Sequence, residues 1–193
     1  MDPQNPFTGV IVVAGVLLTA TFFGAFEVTL QHEGGYVDDP VDLGGETNFG
    51  ITAETARQHG IEDVAAIVDS AVVAIYFSDY WAPLQLDTIA ERDSLLATIL
   101  FDFGVNAGPG RSGRALQRCL NAANRNGRSW GDIPVDGIIG PRTLSAYQRY
   151  SSGSQLLTCV QAVRSYHYLD IIERRPANEK YFYGWFRRAT LEP

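Results

Sequence analysis

The chain has 193 residues, 46% of them hydrophobic and 11% aromatic; this supplies one good core, with or without a small subdomain, and excludes a disordered protein. The net charge of -7 conceals a divided chain: residues 1–100 carry 15 acids and 2 bases, residues 101–193 carry 7 acids and 13 bases. An acidic first half argues against nucleic-acid binding, which needs a continuous basic face, while the basic second half suits either an anionic polymer such as cell wall or a solvated Arg-rich surface.

Phe7 to Phe26 is a 20-residue stretch without a charge. As a helix it would be about 30 Å long, enough for a bilayer core. A signal peptide would want a basic start, and only Asp2 is charged there. Residues 1–26 therefore read as an N-terminal transmembrane or signal-anchor helix, touching the lipid bilayer through residues 7–26. Three Gly, three Ala and three Thr dilute its Val, Leu and Phe, so such a span can insert and still leave. The other reading is a buried core helix.

Phe26, Leu30 and Glu33 fall at i, i+4 and i+7, and Gly34-Gly35 stops that helix. Tyr36 to Thr52 is loop and short strand. Helical spacing returns at Val64 to Ile75, Leu95 to Phe103, Leu116 to Ala123, from Pro141, and at Leu156 to His167, before Pro176 interrupts. The fold class expected is mainly α, a lysozyme-like α+β arrangement: a helical domain with a small β element beside an active-site cleft and an N-terminal hydrophobic helix. Asn124 to Asp132 is expected to be a mobile connection. Cys119 and Cys159 fit no metal spacing; they form one disulfide outside the cytoplasm or stay as two buried thiols. His32, His59 and His167 are scattered, and neither a metal nor a cofactor is expected.

The chemistry concentrates at Glu33. Eight residues separate it from Asp42, and four more lead to Thr47. Glycoside hydrolysis needs a protonated acid beside the leaving oxygen and a second carboxylate, to activate water or stabilise positive charge on the sugar. At a helix C-terminus the unpaired carbonyls make the potential negative and raise a carboxyl pKa. Flanking glycines and Tyr36 limit hydration, which acts in the same direction. An acid before a helix stop is also an ordinary surface feature, and Asp38, Asp39 and Asp42 are also ordinary turn formers.

The rest of the pattern decides between these. The run Glu33 to Thr52 resembles the catalytic signature of glycoside hydrolase family 108, the phage-type N-acetylmuramidases. Tyr80-Trp81-Ala82-Pro83-Leu84, Phe101 to Gly110, Val135 to Leu144 and Phe182 to Arg188 resemble, in order, that family's aromatic-Pro segment, central helix and turn, peptidoglycan-binding-type region and closing motif. The resemblance implies a muramidase catalytic region over 27–110 and a helical peptidoglycan-binding-type region over 111–193 packed on it. It implies Glu33 as the catalytic acid. By analogy with the Glu–Asp–Thr order of phage lysozymes in another family, Asp42 holds a water or stabilises the oxocarbenium ion and Thr47 positions the water; Asp38 or Asp39 could replace Asp42. Tyr36, Asp38, Asn48, Asn106 and Trp130 are the expected substrate contacts, with Trp130 exposed in a polar loop.

The N-terminal span resembles that of signal-arrest-release endolysins. The expected protein is thus tethered to the inner membrane, then periplasmic and monomeric, cutting the glycan strands of peptidoglycan. The alternatives are a virion-associated protein acting in entry, a non-catalytic wall-binding module, and a lytic transglycosylase.

Overall fold

Helices carry most of the computed structural model, which describes residues 12–13, 16–17, 19–30, 46–151 and 153–190. Two compact units divide between Asp79 and Tyr80.

In the first unit, Val12–Val13 (β1) and Val16–Leu17 (β2) pair antiparallel, and helix α1 follows at Ala20–Leu30. The stretch expected to be one continuous helix over residues 7–26 is therefore interrupted. β-branched valines favour extended backbone, and the helix begins only where the Thr19 hydroxyl accepts a bond from the Phe22 N–H at 3.2 Å. Phe22, Phe26 and Thr29 recur at helical spacing and are buried. The Phe22 ring meets Phe77 edge-on at 5.3 Å, and Phe26 meets Tyr76 at 5.3 Å. Among the described residues no helix is long and apolar enough to cross a membrane.

A hairpin follows. Thr47–Asn48 (β3) pairs with Ile51–Thr52 (β4), Thr47 opposite Thr52 and Asn48 opposite Ile51. Its two-residue turn needs positive φ at both positions, and Phe49 (φ 51°) and Gly50 (φ 72°) supply it. A bulky residue in that region is strained; the Tyr76 hydroxyl holds it by donating to the Phe49 carbonyl at 2.8 Å. Thr52 then caps helix α2 (Ala53–Gln58), accepting from the Thr55 N–H at 3.1 Å. Helix α3 (Asp69–Tyr76) completes the unit.

The second unit is built on α4 (Leu86–Ala90), α5 (Ser94–Ala107), α6 (Pro109–Ala123), α7 (Pro141–Arg149), α8 (Gln155–Arg174) and α9 (Phe182–Ala189). Gly108 (φ 90°) makes the corner between α5 and α6, and Pro109 opens α6. The two helices lie close because the Ser112 hydroxyl donates to the Leu100 carbonyl at 2.6 Å. Cys119 and Cys159 form a disulfide, Cα–Cα 5.8 Å, that ties α6 to α8. This resolves the cysteine alternatives in favour of pairing.

The connection from Asn124 to Asp132, expected to be mobile, is closed by its own polar side chains. Asn124 is buried; its amide donates to Asp132 at 2.6 Å and its carbonyl oxygen accepts from the Gly127 N–H at 3.0 Å. Further on, Gln117 of α6 holds the Asp136-Gly137 turn, donating to Asp136 and accepting from the Gly137 N–H, both at 2.8 Å. Gly137 has φ 86°, and a Cβ there would lie 2.5 Å from the Gly110 carbonyl oxygen. Gly137→Ala should therefore destabilise the protein by about 2–4 kcal/mol through left-handed strain and overpacking. Thermal unfolding checks this; an unchanged midpoint would show that the turn can move away.

Candidate functional site

Helix α1 ends at Leu30, three residues before Glu33 in the chain. Glu33, Tyr36, Asp38 and Asp42 lie outside the described residues, as does the Gly34-Gly35 helix stop. What surrounds the end of α1 is described. Phe26 and Leu30 of α1, Phe49 of the hairpin tip, and Asp69 and Val72 of α3 line a mostly apolar cavity of about 240 Å³. The strained turn thus delivers the Phe49 side chain to the helix end that leads to Glu33. Asp69 is an acid on this cavity that spacing did not single out. Nothing marked it, because an acid in a helix's first turn is an ordinary dipole partner.

Thr47 is half-buried on β3. Asn48 was expected to touch substrate, but its side chain is 6% exposed and donates to the Val64 carbonyl at 3.1 Å. In this structure it holds the hairpin to the following loop. Its –NH₂ is spent on backbone carbonyls of that loop.

In the second unit, Asn106 is exposed on the last turn of α5. Its Oδ1 accepts from the Tyr168 hydroxyl at 2.8 Å. Tyr168 in turn accepts from Arg164 Nε at 2.8 Å, and Arg164 pairs with Asp102. Because the amide oxygen is taken, the Asn106 –NH₂ is the group left for a ligand acceptor. Asp102 also holds Arg188 of α9, whose Nε lies 2.9 Å from both carboxylate oxygens. Burial raises the Tyr168 pKa, keeping the phenol protonated as the donor to Asn106.

Trp130 was expected to be exposed and is only 7% so. Its indole edge lines a shallow depression of about 400 Å³ with Asp132, Pro141, Arg142 and Ser145. The polar loop around it folds back through Asn121 and Ile133, which exchange bonds of 2.8 and 2.9 Å, and so covers the ring. A buried Trp in a polar run is invisible to composition, because the loop's closure depends on the particular bonds that Asn121 and Asn124 make.

Comparisons with known proteins give two matches along the chain. Residues 26–108 match the family model described as Glycosyl hydrolase 108, and residues 111–190 match the Predicted Peptidoglycan domain. No curated protein sequence matches significantly. Among solved structures, the chain is similar to that described as the structure of Brucella abortus SagA, at 26% identity and TM-score 0.68, covering 88% of this chain and 90% of the other. The two matches follow one another along the chain, and with them the protein is a glycoside hydrolase that acts on peptidoglycan.

Proposed function

We propose that the enzyme is an N-acetylmuramidase cleaving the β-1,4 bond between N-acetylmuramic acid and N-acetylglucosamine. Glu33 protonates the bridging oxygen as the bond breaks and an oxocarbenium-like sugar develops. Asp42 assists from the other face of the ring, and Thr47 positions the water. Asn106 gives its –NH₂ to a sugar acetamido carbonyl. The observation that carries this reading is the cavity at the end of α1: it sits where the chain enters the Glu33 to Thr52 segment, inside the glycosyl hydrolase 108 match. Mass spectrometry of a peptidoglycan digest tests it. Reducing N-acetylmuramic acid ends are expected. Reducing N-acetylglucosamine ends, or anhydro-sugar ends of a lytic transglycosylase, would overturn it.

The setting we propose is outside the cytoplasm, in lysis of a bacterial host by a phage-type enzyme that acts as a monomer. The Cys119–Cys159 disulfide favours an oxidising compartment. Tethering through residues 7–26 has a physical consequence here. Phe22 and Phe26 can lie in a bilayer or against Phe77 and Tyr76, not both. A tethered form would therefore lack the packing that seats α1 beside the hairpin, and release would restore it. Fractionation of cells before and during lysis should find the protein passing from membrane to soluble fraction. Its recovery from purified virions instead would favour a role in entry.

A further inference from the structure

The disulfide that ties α6 to α8 fixes the walls of an open groove of about 280 Å³. The floor is apolar, made by Phe103, Ala115 and Val163. The α6 wall is cationic. Arg111, Arg114 and Arg118 stand at i, i+3 and i+7, so they share one helix face over about 10 Å, and all three are exposed. None forms an ion pair among the described residues. Arg111 does donate to the Ala107 carbonyl at 2.8 Å, which anchors it at the groove's end.

Like charges at this spacing weaken a helix, so the stripe is a cost until an anion meets it. Asp136 is engaged by the Ile138 N–H and by Gln117, and these bonds, with a smaller part from Arg114, lower its pKa. The α8 wall adds one carboxylate, Asp170, which Arg174 of the same helix holds at 2.9 Å. The other polar groups on that wall are Tyr166, 63% exposed, and His167. Burial, and secondarily Arg111, holds the His167 pKa below the usual histidine range, so at neutral pH it brings hydrogen-bonding nitrogens rather than charge. Guanidinium groups bind carboxylates through paired N–H donors, and the floor accepts short aliphatic side chains.

We propose that this groove binds the acidic peptide stems of peptidoglycan, their carboxylates on the arginine stripe and their aliphatic parts on the floor. The inference rests on the chain's action on peptidoglycan. It adds that the substrate is recognised by its peptide as well as by its sugars, and it gives the basic second half of the sequence a ligand.

The test uses the full chain with Glu33→Gln, so that the substrate survives, and measures co-sedimentation with purified peptidoglycan. One arm carries Arg114→Glu and Arg118→Glu; another offers glycan stripped of its stems by an amidase. Each change should weaken binding on the order of tenfold, since two exposed charge contacts are lost, and added salt should weaken binding of the parent. Unchanged binding by the charge-reversed protein, or by the parent on stripped glycan, would overturn the proposal. So would binding that depends on wall-linked phosphate polymer rather than on stems. Arg118→Gln, a milder change, serves if the double variant unfolds. Reducing-end release by the enzyme with Glu33 intact is assayed separately. If it releases none from either substrate, the muramidase reading fails while the binding result still stands or falls on its own.

Discussion

Replacing Glu33 by Gln should lower peptidoglycan cleavage by about 10²–10⁴-fold, the range for loss of a positioned general acid, with the thermal midpoint unchanged. The amide keeps the shape and loses only the transferable proton. Glycosidic oxygen is a poor leaving group until protonated, so this proton bears most directly on the barrier. Phe26, Leu30, Phe49 and Val72 line a mostly apolar cavity at the end of α1, and an acid seated in such a wall would be held protonated by desolvation. Reducing-end release at matched concentrations is the measurement. Near-native turnover by the variant would remove Glu33 from the mechanism and leave Asp69, the acid on the same cavity, as the next residue to replace.

Asp102→Ala should destabilise the protein by about 3–5 kcal/mol, because it strands buried positive charge. Asp102 and Arg164 are fully buried and Arg188 is 7% exposed. One carboxylate therefore holds two guanidinium groups, one from α8 and one from α9. At this chain length such a loss corresponds to a fall of roughly 10 °C or more in the unfolding midpoint. Function should follow in a defined order. Arg164 without its partner no longer fixes the Tyr168 hydroxyl, and Tyr168 no longer fixes Asn106. At a temperature where the variant is folded, KM for peptidoglycan should rise more than kcat falls, since the role proposed for Asn106 is to hold sugar and not to move the proton. A midpoint within the scatter of ordinary surface variants would show that the network contributes little.

The helical class and the order of the helices were legible because their apolar positions repeat at 3.6-residue spacing, as in Leu96, Ile99, Leu100 and Phe103 of α5. The start of α7 was equally legible, since Gly140-Pro141 puts a proline in the first turn of a helix. The covering of the N-terminal stretch was not legible, for a related reason. An apolar run looks the same whether lipid or protein will cover it, and Phe22 and Phe26 found Phe77 and Tyr76. Asn48 and Trp130 misled differently. Each looked available in a polar neighbourhood, and each was occupied by partners far along the chain or covered by its own loop.

Spacing and residue type alone determined that a glutamic acid closes an amphipathic run before a Gly-Gly stop, that acids gather in the first half and arginines in the second, and that helices dominate. These are local or additive properties, fixed by covalent order. Tertiary structure alone decided which arginines face solvent and which embrace Asp102, that Cys119 finds Cys159, and that a strained Phe49 reaches the end of α1. Those outcomes depend on which surfaces meet, and meeting is set by the packing of whole elements, which no single stretch of sequence encodes.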